Sequence, residues 1–423
     1  MKTLKYLCCL ILLSVFFIAF QPAAQSQSYD LLLKGGHVID PKNKIDGPMD
    51  IAVKDGKIAR VAKNLGANEA KTTVDVTGLY VTPGMIDLHG HHFHGTVPHR
   101  YLSNSFTALP PDGFTFRSGV TTAVDAGGAG WKNFRLFKEQ VIDRSRTRVL
   151  ALINIVGEGM RGVVPHEQDV NDMDAKMTGL VARQFPEIVG IKVAHFQDHN
   201  WEPYRRAVEA GERAGGIPVM VDLGGTEPVL PLKRLFFEIL RPGDILTHMY
   251  GRPYSGHGPK EAALDESGKL KSYWLDAQER GLIFDVGHGG GSFYYDIAIP
   301  ATQQGLWPNT ISTDLHTGSM NAGMKDQLNV VSKMINLGMP LQAAIEASTW
   351  KPAQVIHRED LGHLSEGAEA DVAVFNLRKG DFGFIDSGRS RFSGNQKLET
   401  ELTLRAGQVV WDLNGIASPK WDE

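Results

Sequence analysis

The 423-residue chain reads as an α/β protein: a (β/α)8 TIM-like barrel with a small β-sandwich domain built from both chain ends. Three observations predict this. Eight apolar, strand-like runs end near Gly90, Ala126, Val156, His195, Gly224, Tyr250, His288 and His316, with amphipathic stretches between them. Short β-type runs broken by Gly, Asp and Asn turns occupy both ends of the chain. The length exceeds one ordinary domain but suits a barrel with appendages.

In chain order, residues 1–26 have the layout of a secretory signal peptide. Met1 to Lys5 is a short basic start, Tyr6 to Phe20 is apolar apart from Ser14, and Ala24 and Ser26 supply the small residues before cleavage. The apolar run is short for a membrane span, and an uncleaved anchor is the alternative. The expected product is secreted or periplasmic and, once cleaved, detached from the membrane. Cys8 and Cys9 are the only cysteines, and both fall in this segment. The mature chain would then lack disulfides and thiolate ligands, so any metal must be held by His, Asp, Glu or a modified Lys.

Residues 27–82 form the first part of the sandwich, with strands expected at 29–40, 50–53 and 57–61. Residues 83–358 form the barrel, with helices expected at 201–214, 230–240 and 324–337. Residues 359–423 return to the sandwich through strands at 371–377 and 403–411. An open doubly wound sheet would want a Gly-rich phosphate turn, and Gly127 to Gly130 lacks the spacing of a dinucleotide fingerprint. The formal charge is −4 with no basic run, so nothing points to nucleic acid.

Barrel chemistry sits at the C-terminal ends of the strands. The first strand leads into GMIDLHGHHFHG, residues 84–95, with four histidines. Alternation puts His89 and His91 on one face, where two imidazoles can grip one cation, and His92 on the other. The later strand ends supply Asp125, Asn154, Lys192, Asp222, His248, His288 with Gly289 to Ser292, and Asp314. Singly, such residues cap helices or snorkel. Together they predict a metal site. Lys192 lies within an apolar strand. Desolvation and nearby cations would favour its neutral amine, which can take up CO2 to give a carbamate with two oxygens able to bridge metals. Pairing with Asp222 or Asp314 is the plainer reading.

These residues resemble the amidohydrolase superfamily, in particular its dihydroorotase-like and deacetylase branch. The likeness runs from Val81-Thr82-Pro83-Gly84-Met85-Ile86-Asp87-Leu88-His89-Gly90-His91 to the return segment Gly367-Ala368-Glu369-Ala370-Asp371-Val372-Ala373-Val374. The resemblance implies that His89, His91, Lys192, His248 and Asp314 hold one or two divalent ions, Zn or else Mn, with Lys192 as its CO2 carbamate. It makes Asp314 also the catalytic acid and base, and His288 a substrate contact. One position departs: the fifth strand ends in Asp222, where the family has a histidine ligand. A carboxylate is a competent ligand for Zn²⁺ or Mn²⁺ but leaves one metal or two open.

The expected reaction is hydrolysis of a small N-acyl or O-acyl substrate by metal-activated water. Backbone N–H groups of Gly289 to Gly291 are expected to stabilise the oxyanion, and Arg161 or Arg252 to hold a substrate carboxylate. Hydrolysis of a cyclic amide is the alternative among enzymes. A metal-poor binding relative, suggested by Asp222, is the alternative outside them. Association into homo-oligomers stays open.

Overall fold

The structure, a computed structural model, describes residues 27–95, 108–160, 166–254 and 258–422. The expected signal peptide and Arg161 lie outside these residues. Seven parallel strands form one curled sheet: Met85–Gly90, Val120–Gly130, Arg148–Asn154, Ile188–Ala194, Val219–Asp222, Ile245–Leu246 and Ile283–Phe284, each beside the next. The eighth position, residues 310–315, closes the ring through parallel bridges Asp285↔Thr310 and Gly90↔Leu315. Asp314 N–H donates to His89 O at 2.6 Å and His91 N–H to Leu315 O at 2.9 Å. Closure therefore brings the eighth strand end against the first, at the cluster of histidines.

The outer helices follow the apolar periodicity. In Glu202–Arg213 the buried residues Pro203, Tyr204, Ala207, Ala210 and Gly211 fall on one face, and Pro203 sits in the first turn, where its missing N–H costs nothing. Ala175–Gln184 is capped by Asp174, which accepts from Met177 N–H, and Gln327–Asn336 by Asp326, which accepts from Asn329 N–H. The stretch expected as one helix at 230–240 is a short α-turn, Leu232–Arg234, running into a π-turn, Leu235–Ile239.

Both chain ends build a second, eight-stranded sheet, mostly antiparallel. Its order is Gln408–Asp412, Arg391–Arg405, Val372–Ile385, Tyr80–Pro83, Tyr29–Asp40, Ile45–Lys54 and Lys57–Ala62, with Ala70–Asp75 also paired to Tyr29–Asp40. Tyr80–Pro83 is the seam. It pairs in parallel with the N-terminal strand (His37↔Tyr80) and antiparallel with the C-terminal one (Val372↔Pro83). The first barrel strand begins two residues later, so the seam sets where that strand starts. Leu33, Val38, Ile51, Val74, Val81, Val372 and Leu402 form this sheet's own core.

The long hairpin of Val372–Ile385 and Arg391–Arg405 reaches the barrel mouth. Ser387 N–H donates to Phe293 O at 2.9 Å, and Tyr295 N–H to Asp386 Oδ2 at 3.1 Å. Buried Lys333 donates 2.7 Å bonds to Gly323 O and Ile385 O, joining the barrel helix Gln327–Asn336, the loop before it and the hairpin. Among the described residues no helix is long and apolar enough to cross a membrane.

Candidate functional site

Six side chains converge at the C-terminal ends of barrel strands one, four, five, six and eight. His89 Nε2 lies 3.2 Å from Lys192 Nζ and 3.5 Å from Asp314 Oδ1, and His91 Nε2 lies 3.0 Å from the same oxygen. Across the pocket floor, Asp222 Oδ2 lies 3.2 Å from His248 Nε2 and 3.6 Å from Lys192 Nζ. Ligand atoms of His89, His91 and Asp314 fall within 4.8 Å of one another, as do those of His89, Asp222 and His248. Five of the six residues predicted as ligands therefore occupy two adjoining donor sets. The sixth, Lys192, lies between His89 and Asp222.

The ring nitrogens test whether these residues suit a metal. His89 Nδ1 is 3.0 Å from Thr247 Oγ1, whose hydroxyl donates to Asp285 Oδ2 at 2.8 Å. The Nδ1–H must therefore donate, which leaves the Nε2 lone pair facing the pocket. His248 Nδ1 meets Gly287 O at 2.5 Å, and a carbonyl accepts only, so its Nε2 is likewise left as an acceptor toward Asp222. Fixing the tautomer through the far nitrogen is the usual support of a metal-binding imidazole. Burial, reinforced by Lys192, holds the His89 imidazole well below its ordinary 6.5, so it is neutral. Burial pushes the Asp222 and Asp314 carboxyls up, but the surrounding imidazoles, with Lys192 beside Asp222, outweigh it and hold both below the usual carboxylate range. Neutral imidazoles and ionised carboxylates are the protonation states that a divalent cation requires.

The backbone is bent to present these groups. His195, His248 and Asp314 sit at φ +53°, +61° and +52°, a region non-glycine residues rarely occupy. Gly127, at φ +90°, lets Lys192 pass, because a Cβ there would lie 2.7 Å from Lys192 Cγ. Buried Asp87 accepts from Thr313 N–H and Oγ1–H at 3.0 and 2.5 Å, pinning the eighth strand to the first. Burial pushes the Asp87 carboxyl up to about 7, against those two bonds.

Several expected substrate contacts lie elsewhere. His288 is fully buried; its Nδ1 meets Gly289 O at 2.9 Å, its Nε2 meets Lys333 Nζ at 2.6 Å, and its ring stacks on Phe293. Both ring nitrogens are occupied, and it does not line the cavity. Gly289 N–H donates to Thr313 O at 2.9 Å to close the barrel, so it is not available to an oxyanion. Gly290 and Gly291 do line the cavity. Arg252 pairs with Asp296 at 2.7 Å, over the Tyr294 ring, outside the cavity lining. His92 is buried against Leu109 O, away from the donor sets.

The cavity over the donor sets measures about 360 Å³, and its lining includes His195, Lys260 and His316, none of them predicted as site residues. His195 sits one residue past the fourth strand. Its Nε2 is 3.1 Å from Asp222 Oδ2 and its Nδ1 is 2.9 Å from Glu167 Oε2, while Asn154 Nδ2–H donates to Glu167 Oε1 at 3.1 Å. Burial lowers the His195 pKa, but Asp222 and Glu167 outweigh it and raise it to about 10. His316 Nδ1 accepts from Gly318 N–H at 3.0 Å, leaving its Nε2 3.8 Å from Asp314 Oδ2. A signal for His195 did exist in the sequence: a histidine at the end of a barrel strand. Lys192, three residues earlier on the same strand, is the more conspicuous polar residue in an apolar run.

The geometry can be set beside known proteins. Residues 301–410 match the model of the Amidohydrolase family. A deacetylase of Brucella anthropi is 35% identical over 374 residues, covering 86% of this chain and 88% of that protein. The chain belongs to the amidohydrolase family. A deacetylase of Agrobacterium fabrum is 32% identical over 89% of this chain and 86% of its own. Among solved structures, an adenine deaminase matches with TM-score 0.80 at 28% identity, covering 91% of this chain and all (100%) of its own. A dihydroorotase matches with TM-score 0.77 at 30% identity, covering 90% and 99%. As an amidohydrolase the protein is a hydrolase of non-peptide carbon–nitrogen bonds, and its donor sets suit the divalent metals of the family.

Proposed function

We propose that this amidohydrolase is an exported, metal-dependent deacylase that removes the acyl group from a small N-acyl or O-acyl substrate. The observation that carries the reading is the pair of donor sets sharing His89, at the floor of a cavity sized for a small molecule. The deacetylase relatives, each aligned over most of both chains, support the acyl specificity. The dihydroorotase likeness keeps a cyclic amide as the second reading.

His89, His91 and Asp314 would hold one divalent ion, and Asp222 and His248 a second, with Lys192 between them as an amine or a carbamate. A bound divalent ion supplies acidity to water and polarises a carbonyl. The chain supplies the rest. Asp314 is placed at the rim of the first donor set with its second oxygen toward His316. It takes the proton from the attacking water and returns it to the leaving nitrogen or oxygen. Gly290 and Gly291 line the wall where the acyl oxygen would turn as the carbon becomes tetrahedral, and their N–H groups serve as its donors.

Turnover of acetylated amino acids and acetylated hydroxy acids, measured against cyclic amides before and after chelation, tests this reading. Acyl-selective turnover that is lost with the metal and restored by Zn²⁺ or Mn²⁺ is expected. Cyclic-amide turnover alone would favour the second reading. Export is tested by the N-terminus of protein recovered outside the cytoplasm, expected to follow Ser26.

A further inference from the structure

We propose that Lys333 is a positioning residue for the metal site: through His288 it sets the glycine turn after the seventh barrel strand against His248 and Asp314, and it ties that setting to the hairpin of the terminal sheet. The proposal rests on the deacylase reading above only for its two donor sets, and it is independent of the acyl substrate.

The turn fits closely against both donor sets. Gly287 O accepts from His248 Nδ1–H at 2.5 Å. A Cβ on Gly287, at φ +46°, would lie 2.1 Å from Thr247 Oγ1 and 2.9 Å from His248 Nδ1. A Cβ on Gly289, at φ +54°, would lie 2.3 Å from Asp314 Oδ2. The two glycines thus put bare backbone against one ligand of each donor set. His288 is the only side chain between them, and it is buried behind the cavity wall. Whatever fixes its ring fixes the turn on both sides.

Lys333 holds that ring. Its Nζ lies 2.6 Å from His288 Nε2, and because His288 Nδ1–H donates to Gly289 O, Nε2 is the acceptor. The other two ammonium protons go to Gly323 O and Ile385 O, each at 2.7 Å. Gly323, on the loop after the eighth strand, meets the hairpin so closely that a Cβ there would lie 2.4 Å from Ile385 O. Phe293 completes the junction. Its ring stacks on His288 with centroids 4.7 Å apart, its N–H donates to Ser387 Oγ at 3.1 Å, and its carbonyl accepts from Ser387 N–H at 2.9 Å. One fully buried side chain therefore joins the strand-seven turn, the strand-eight loop and the terminal sheet. Packing alone does not call for a lysine here. Burial pulls its pKa down to about 7, opposed by Asp386 and Asp326 and helped by Lys325, and it makes no ion pair with the described residues. An unpaired buried ammonium costs free energy that a methionine of similar length would not. What the ammonium supplies, and a methionine cannot, is three directed bonds that lock the His288 ring.

The test loads the full chain with Co²⁺, in the parent, Lys333→Met, His288→Asn and the double variant, under conditions where thermal unfolding shows each to be folded. Chelator competition reads the Co²⁺ affinity, and the visible absorption bands read its coordination. Lys333→Met is expected to weaken the affinity by about ten- to a hundredfold and to shift the bands. The double variant is expected to lose no more than Lys333→Met alone, since the lysine acts through the histidine. The proposal is overturned if folded Lys333→Met keeps the parent's affinity and bands, if the two single losses add in the double variant, or if the parent binds no Co²⁺. Should Lys333→Met fail to fold, His288→Asn, which leaves the lysine its two carbonyls, carries the same expectation, and parent-like affinity and bands in it overturn the proposal. Failure of the deacylase reading looks different: acetylated substrates survive untouched while the Co²⁺ affinity and bands still respond to Lys333→Met.

Discussion

Asp222 shows how one side chain can be rebuilt around. Where the family resemblance led to the expectation of a histidine, a shorter and charged group stands, and His195 leans onto it from the neighbouring strand end at 3.1 Å. Glu167 holds the other side of that ring at 2.9 Å, so a carboxylate–imidazole–carboxylate chain sets the direction of Asp222. On this account His195→Ala or Glu167→Gln weakens metal affinity by about ten- to a hundredfold, read by competition with a chelator. Unchanged affinity in both variants would reduce the chain to a structural tie. Asp314→Asn should lower kcat by about 10²- to 10⁴-fold with an unaltered unfolding midpoint, since its shape and backbone bond are kept. Much at this scale was legible. His89-Gly90-His91 shares one strand face, Lys192 interrupts an apolar strand, and Asp314 ends the eighth run. The cavity residues Lys260 and His316 were not legible, because loop conformation decides where they point and periodicity carries no information past a strand end; His195 was legible only as a histidine at the end of a strand.

At the scale of elements, strand ends were legible and loops were not. The runs expected at 29–40 and 57–61 became Tyr29–Asp40 and Lys57–Ala62. Among the described residues the eighth barrel run pairs through isolated bridges at Thr310 and Leu315, and Asp314 between them takes a positive φ, neither of which apolar patterning can foretell. The expected helix at 230–240 broke because Pro231 opens it and the π-turn follows at once. Glu261 governs this corner by accepting from Leu232 N–H at the helix start, from Lys271 and from Tyr273. Burial raises its pKa, but these bonds outweigh it and hold the carboxyl below 4.5. Its contribution is therefore present above the unfolded value and lost as pH falls below it. Glu261→Gln should cost about 1–2 kcal/mol at pH 7, with the gap closing in acid, as read by denaturant midpoints. A gap that persists at pH 3 would assign the loss to shape rather than charge.

For the whole molecule, β-type runs at both ends and eight strand-like runs between them were enough to read a barrel with a sheet domain drawn from both termini. Their joining was not legible, because it depends on pairs far apart in sequence. Tyr80–Pro83 is one such seam. Arg148 is another: at the base of the third barrel strand it donates 2.6 Å bonds to Asp371 and Glu369 of the return segment, which Arg405 also contacts. Removing one partner of a largely buried pair leaves the other charge stranded, so Arg148→Ala should cost about 3 kcal/mol or more in urea unfolding. A loss under about 1 kcal/mol would mean that Arg405 alone suffices. Whether the two donor sets hold divalent metal is read from metal content per chain by elemental analysis. Protein would be purified without added metal and again after Zn²⁺ or Mn²⁺ with bicarbonate. The loaded parent should hold close to two equivalents, falling by one in Asp222→Ala. No metal even after loading would contradict it.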